Sequence, residues 1–143
     1  MMDFTGKVFI VTGASSGIGL SCAEQIIALG GRVIGVDKNA TDVDNDAFEY
    51  SVISVTDEQA VENLVNTVTD KYGHIDGLVN AAGIWGSSKP FYEMDSEAFQ
   101  NVLDVNTKGM FLMSKYVART MISQKRGKIV NISCIRASIF RNN

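Results

Sequence analysis

Val8-Phe9-Ile10-Val11-Thr12-Gly13-Ala14-Ser15-Ser16-Gly17-Ile18-Gly19 is the stretch from which the fold is read. Its first four residues form a short apolar, mostly β-branched run, as in strands buried on both faces. Three glycines follow. Then Ile18, Cys22, Ile26 and Leu29 recur near one face of a helix that Gly30-Gly31 ends. In a strand-to-helix turn of this kind, one glycine allows a sharp reversal. A second lets a phosphate group approach the backbone, and a third lets helix and strand pack closely. The free N–H groups and positive dipole end of the new helix favour anions. The spacing is G-x-x-x-G-x-G. Its place after an apolar strand and before an amphipathic helix predicts a pyrophosphate site rather than a plain tight turn.

Outward from this turn the pattern keeps alternating. Arg32 to Asp37 reads as a second buried strand through Val33, Ile34 and Val36, and Asn39 to Asn45 as a polar, acidic loop. Phe48 to Val55 predicts a third strand. Thr56 is the expected N-cap of a helix with Asp57 and Glu58 in its first turn, where carboxylates suit the dipole. Ala60, Val61, Leu64, Val65 and Val68 make its apolar stripe, and Tyr72-Gly73 stops it. Ile75 to Asn80 is the fourth strand, followed by a loop to Tyr92. One long helix is predicted from about Ser96 to Met121, and a fifth strand from Lys128 to Ile132. Strand-helix alternation throughout predicts a parallel sheet with helices on both faces.

Composition sets the limits of function. The 143 residues are 45% hydrophobic and 20% charged, with one Pro, which fits a single globular domain over 1–143 and excludes disorder and low complexity. A net charge of −3 shows no basic footprint, so no nucleic acid partner is expected. The apolar runs are too short to span a bilayer, so no membrane partner is expected. The N-terminus lacks the charged and apolar regions of a signal peptide. Cys22 and Cys134 are too far apart for a CxxC metal site and too few for a disulfide framework. No metal and a reducing, cytoplasmic setting are therefore expected.

Asp37 closes the second strand eighteen residues beyond Gly19. An acid there accepts hydrogen bonds from both hydroxyls of an adenosine ribose and repels a 2′-phosphate. Asp42, Asp44, Asp46 and Glu49 add negative charge, and Lys38 is the one counter-signal. The expected cofactor is NAD rather than NADP. A competing pattern is present. Gly13-Ala14-Ser15-Ser16-Gly17 also satisfies G-x-S-x-G, the nucleophile elbow of α/β-hydrolases, and the single histidine, His74, follows in chain order. That elbow would sit on the first strand, with no earlier strand to supply an oxyanion loop. His74 reads instead as a polar residue in a helix-to-strand turn.

Four blocks together resemble the short-chain dehydrogenase/reductase family, in its shorter, non-extended branch. They are Thr12 to Gly19, then Asn80-Ala81-Ala82-Gly83 after the fourth strand, Asn106 within Val105-Asn106-Thr107-Lys108-Gly109, and Val130-Asn131-Ile132-Ser133-Cys134. Within the family, the nearest look is to NAD-dependent alcohol, polyol and dihydrodiol dehydrogenases. The resemblance implies a Rossmann-type doubly wound α/β sheet with strand order 3-2-1-4-5. It also implies hydride transfer between a nicotinamide and a small-molecule alcohol or carbonyl substrate. The cofactor site so expected comprises Gly13, Ser15, Ser16, Gly17, Ile18 and Gly19 of the turn, Asp37, Ser54 and Val55, and Asn80, Ala81, Ala82 and Gly83. In the family a Tyr moves the substrate proton beside a Lys, a Ser binds the substrate oxygen, and the helix Asn holds a water in the proton path. Asn106 takes that last role here, and Trp85 would wall the substrate entrance.

This sequence departs from the family pattern in three places. Cys134 stands at the catalytic Ser position, with Ser133 one before it as the weaker candidate; a thiol donates more weakly than a hydroxyl, and neighbours on a strand face opposite ways. Ser54-Val55 stands where the family has Asp-Val. No Tyr-x-x-x-Lys exists, because Ser54, Asp76, Ser96 and Thr120 stand four residues after Tyr50, Tyr72, Tyr92 and Tyr116. The chain ends nine residues after Cys134, short of where that motif would fall. The expectation is therefore a C-terminally truncated enzyme, inactive alone, with a homo-oligomeric full-length parent and a fifth strand left as an exposed apolar edge. The alternative is a non-catalytic dinucleotide-binding module.

Overall fold

The structure is a computed structural model, which describes residues 2–86 and 89–133. Strand β1 (Val8–Thr12) leads through the glycine turn into helix α1 (Gly17–Ala28) and back to β2 (Arg32–Asp37). Then come β3 (Phe48–Val52), α2 (Glu58–Tyr72), β4 (Gly77–Asn80) and a short 3-10 turn at Phe91–Glu93. Helices α3 (Ser96–Leu103) and α4 (Met110–Ser123) precede β5 (Lys128–Asn131). Every ladder is parallel, and the order is β3-β2-β1-β4-β5. This is the parallel sheet the alternation predicts, in the Rossmann-type order the resemblance implies.

The period of two along each strand divides the apolar residues between the faces. Val8, Ile10, Ile34, Val36 and Leu78 face α2 and α4, where they pack with Val61, Leu64, Val65, Leu112, Met113 and Val117. Val11, Val33 and Phe48 face the other way and are covered by Ala23 and Ile26 of α1. Each fully buried side chain of this size contributes about 1.5–3 kcal/mol, so both layers are needed to hold the central strands. At the outer side β5 is exposed, with Ile129 37% and Val130 50% accessible.

Several boundaries differ from the sequence expectation. Strand β3 stops at Val52 rather than Val55. The Ile53 N–H still donates to the Asp37 carbonyl at 2.9 Å, but then the chain turns, with the Asp57 N–H on the Ser54 carbonyl. Thr56 is not the N-cap of α2. Its N–H and hydroxyl are both engaged by the Ser54 hydroxyl, and Asp57 caps instead by accepting from the Ala60 N–H at 3.0 Å. Strand β4 begins at Gly77 rather than Ile75, and β5 ends at Asn131 rather than Ile132. The predicted long helix is one helical run from Ser96 to Ser123, but Asp104–Gly109 widens to a π turn within it.

Polar ties fix the outer ends of the layers. Glu49 of β3 accepts from Lys71 Nζ at 2.9 Å and from the Tyr72 hydroxyl of α2, with Arg32 of β2 at 3.5 Å. Burial opposes ionisation of Glu49, yet Lys71 and Tyr72, helped by the Arg32 charge, hold its carboxyl below the ordinary glutamate value. A depressed folded value means stability that is present above the unfolded value of about 4.5 and lost as pH falls through the folded one. In urea titrations, the stability lead of the native chain over Glu49→Gln should therefore be constant between pH 6 and 8 and shrink below about pH 4.5.

Candidate functional site

An open cleft of about 370 Å³ lies along the C-terminal ends of the strands. The β1–α1 turn forms one side through Gly13, Ser15, Ser16, Gly17, Ile18 and Gly19. The tips of β2 and β3 add Asp37, Lys38 and Asn39, then Ile53, Ser54 and Val55. The exit from β4 adds Ala81, Ala82, Gly83 and Ile84, and Val105 closes the far end. The structure thus brings twelve of the thirteen expected cofactor-site residues to one concavity.

The glycines act as their positions require. Gly13 has φ +68°, and a Cβ there would meet the Ala81 carbonyl oxygen and the Ala82 nitrogen at 2.8 Å. A Cβ on Gly19 would collide with the Gly13 carbonyl, so the helix start seats directly on the turn. Gly17 has φ +56°, with nothing within 4 Å of a Cβ position, so its backbone fronts open space. Ser16 is the N-cap of α1, and its side chain makes no capping bond. The first-turn N–H groups that α1 leaves unpaired are donors suited to a phosphate.

Thr12 holds the turn to the exit of β4. It is 1% exposed, and its hydroxyl accepts from the N–H groups of Ala81 at 3.1 Å and Ala82 at 3.0 Å. On the opposite flank the Gly13 N–H donates to the Val36 carbonyl at 2.8 Å. At the tip of β2, Asp37 Oδ2 accepts from the Ser15 hydroxyl at 2.8 Å and the Ser15 N–H at 3.3 Å. Its Oδ1 accepts from the Asn39 N–H at 3.1 Å and the Asn39 side-chain amide at 3.3 Å. Nearby, the Tyr50 hydroxyl donates to the Asn39 carbonyl, and burial together with the Asp37 charge raises the Tyr50 phenol above its ordinary value.

Other expected residues stand differently. The Asn80 side chain is 2% exposed and lies outside the cleft lining. Its amide donates to the Ser114 hydroxyl at 3.1 Å and to Asn131 Oδ1 at 2.9 Å, tying β4 to α4 and β5. Asn106 sits in the π turn, a geometry frequent at functional sites. Its side chain accepts from the Ile84 N–H at 2.8 Å and donates to the Ile84 carbonyl at 3.0 Å, clamping the loop beyond β4. The Ser54 hydroxyl is engaged by Thr56. Trp85 is 70% exposed, Ser133 is exposed just beyond β5, and Cys134 lies outside the described residues.

The hydrolase pattern is not assembled. His74 lies beside the Gly6 carbonyl at 3.1 Å and Asp76 at 3.2 Å, before β1 begins, whereas Ser15 lies beyond its far end. Five residues of strand put roughly 16 Å between those ends. The hydroxyls of Tyr50 and Tyr116 are engaged by other groups. Tyr116 donates to Glu58 on the outer face, and burial and that carboxylate raise it. The sequence reading did not assign Thr12, Lys38, Asn39, Ile53, Ile84 or Val105 to the site. Thr12 and Asn39 carry a local signal, as polar residues flanking the turn and the acid; Ile84 and Val105 carry none.

Known proteins share this arrangement. The sequence profile of the family described as short chain dehydrogenase matches residues 7–141. An uncharacterised oxidoreductase of Staphylococcus saprophyticus is 38% identical, over 94% of this chain and 62% of its own length. A 2-dehydro-3-deoxy-L-rhamnonate dehydrogenase (NAD(+)) of Sphingomonas is 34% identical, over 92% of this chain and 55% of its own. The crystal structure of a short chain dehydrogenase from Leptospira borgpetersenii with bound NAD+ aligns with a TM-score of 0.90 and 29% identity, over 97% of this chain and 56% of that one. The chain spans 53–62% of the curated relatives it matches.

Replacing Thr12 by Val keeps the shape and leaves the two part-buried N–H groups of Ala81 and Ala82 without this acceptor. The variant should lose about 1–3 kcal/mol of stability in urea titration, more than a Ser16→Ala control at the exposed helix cap.

Proposed function

The chain belongs to the short-chain dehydrogenase family, and from that premise we propose that it is the NAD-binding part of an oxidoreductase acting on an alcohol or carbonyl compound. The carrying observation is the Asp37 carboxylate at the tip of β2, lining the same cleft as the open backbone of Gly17. The N–H groups at the start of α1 would hold the pyrophosphate, and Asp37 would accept from the adenosine ribose hydroxyls and repel a 2′-phosphate. Two relatives support NAD over NADP: one carries NAD(+) in its name, and the other has NAD+ bound. When bound, the cofactor supplies a hydride donor or acceptor at its nicotinamide.

The chain's own residues then shape the reaction end. Asn106 acts as a positioning residue, fixing Ile84 and with it the loop that carries Trp85 toward the substrate entrance. Ser133 and Cys134 follow β5, where the family places its substrate-oxygen donor. A Tyr-x-x-x-Lys is absent from the 143 residues, and Tyr50 and Tyr116 are shifted away from easy deprotonation. We propose that these residues bind cofactor without turning over substrate. Phe99, Leu103 and Phe111, exposed on α3 and α4, support self-association of the parent enzyme, and the cysteine usage supports a cytoplasmic setting.

Calorimetric titration of the chain with NADH and NADPH tests this reading. NADH should bind at least about tenfold more tightly, and Asp37→Asn should weaken NADH by about ten- to a hundredfold through loss of charge-assisted hydrogen bonds. No alcohol-dependent NADH production should be seen. Preference for NADPH, or no binding of either nucleotide, would overturn the cofactor assignment; turnover would overturn the claim of inactivity.

A further inference from the structure

An ionised carboxylate offers about four lone-pair sites, and on Asp37 four donors occupy them. Two are backbone N–H groups, from Ser15 and Asn39, at 3.3 and 3.1 Å. Two are side-chain donors, the Ser15 hydroxyl at 2.8 Å on Oδ2 and the Asn39 amide at 3.3 Å on Oδ1. The backbone donors are held by the fold. The side-chain donors turn on single bonds, and all three residues line the cleft.

A 2′,3′-diol also brings two O–H donors. We infer that Ser15 and Asn39 compete internally for the ribose-reading oxygens of Asp37, the Ser15 hydroxyl and the Asn39 amide being exchanged one for one against the hydroxyls of a vicinal diol. This rests on the proposed dinucleotide reading and deepens it by naming two residues that set affinity at the adenosine end. Binding the diol then replaces two hydrogen bonds rather than adding two. The displaced groups recover partners in solvent, since Asn39 is exposed and Ser15 half-buried at the cleft wall. The arrangement holds Asp37 oriented, and it lowers the gain from each ribose hydroxyl.

The consequence runs opposite to that of an ordinary contact residue, whose removal weakens binding. Ser15→Ala and Asn39→Ala each delete one competitor and keep the backbone donors. Each should bind ADP-ribose about two- to tenfold more tightly than the native chain, the factor expected for one net hydrogen bond. The gain should vanish with the ADP-ribose analogue built on 2′,3′-dideoxyadenosine, which lacks the diol on the adenosine ribose. A merely structural effect would change both ligands alike. Asn39 is on the surface, so its variant keeps the test open where Ser15→Ala fails to fold. A diol-dependent gain in either variant supports the inference. Unchanged or weaker ADP-ribose binding by both variants, with NADH binding intact in the native chain, overturns it and leaves the cofactor reading standing. No binding of NADH or ADP-ribose by the native chain overturns both.

Discussion

The hydroxyl of Thr12 accepts from two successive backbone N–H groups, those of Ala81 and Ala82, and the next residue is a glycine whose backbone abuts the same two alanines. This contact ties the exit of β1 to the exit of β4. On the other side Gly13 donates to Val36 at the end of β2. The turn is therefore stitched to both neighbours of β1, where the chain's direction of travel across the sheet reverses. Open α/β sheets form their crevices at such a switch point. The cleft follows from this constraint: β2 leads out to one side, β4 to the other, and α1 starts between them.

Each wall of the cleft has its own means of support. The glycine turn depends on close approach, with Gly19 seated on the Gly13 carbonyl so that α1 points its first N–H groups into the opening. The β2 tip depends on the density of donors around one carboxylate. The β4 exit depends on Asn106, whose amide grips both backbone groups of Ile84. Asn80 works one step back from the cleft, joining β4 to Ser114 and Asn131. Two asparagines matching family motifs thus act here by holding backbone and strands in place.

The relatives are longer than this chain, which spans 53–62% of them. What the described residues contain is an open cleft with its supporting sheet, built around two apolar layers. The outward faces of α3, α4 and β5 carry exposed Phe99, Leu103, Phe111, Ile129 and Val130. Burial, with Asp37 beside Tyr50 and Glu58 beside Tyr116, raises those two phenols above their ordinary value.

Much of this was legible in the residues themselves. Strand period, helix period and the G-x-x-x-G-x-G spacing are local properties of the chain, and they determined the α/β class, the five strands and the glycine turn. The strand order and the Asn80 and Asn106 blocks came through family resemblance to motifs at matching spacing. Other features depended on groups distant in sequence. That Thr56 would be taken by Ser54, leaving Asp57 to cap α2, turns on where β3 stops. The π turn at Asp104–Gly109 lies in a pattern that reads as unbroken helix. Its Asn106 finds Ile84 twenty-two residues back. Asp37 was readable as the acid at a strand end, but the donors around it come from the turn twenty-two residues earlier as well as from Asn39. Local periodicity decides which elements form, because it depends only on side chains a few positions apart. Hydrogen-bond partners across elements exist only once those elements are packed, so the tertiary structure alone decided them.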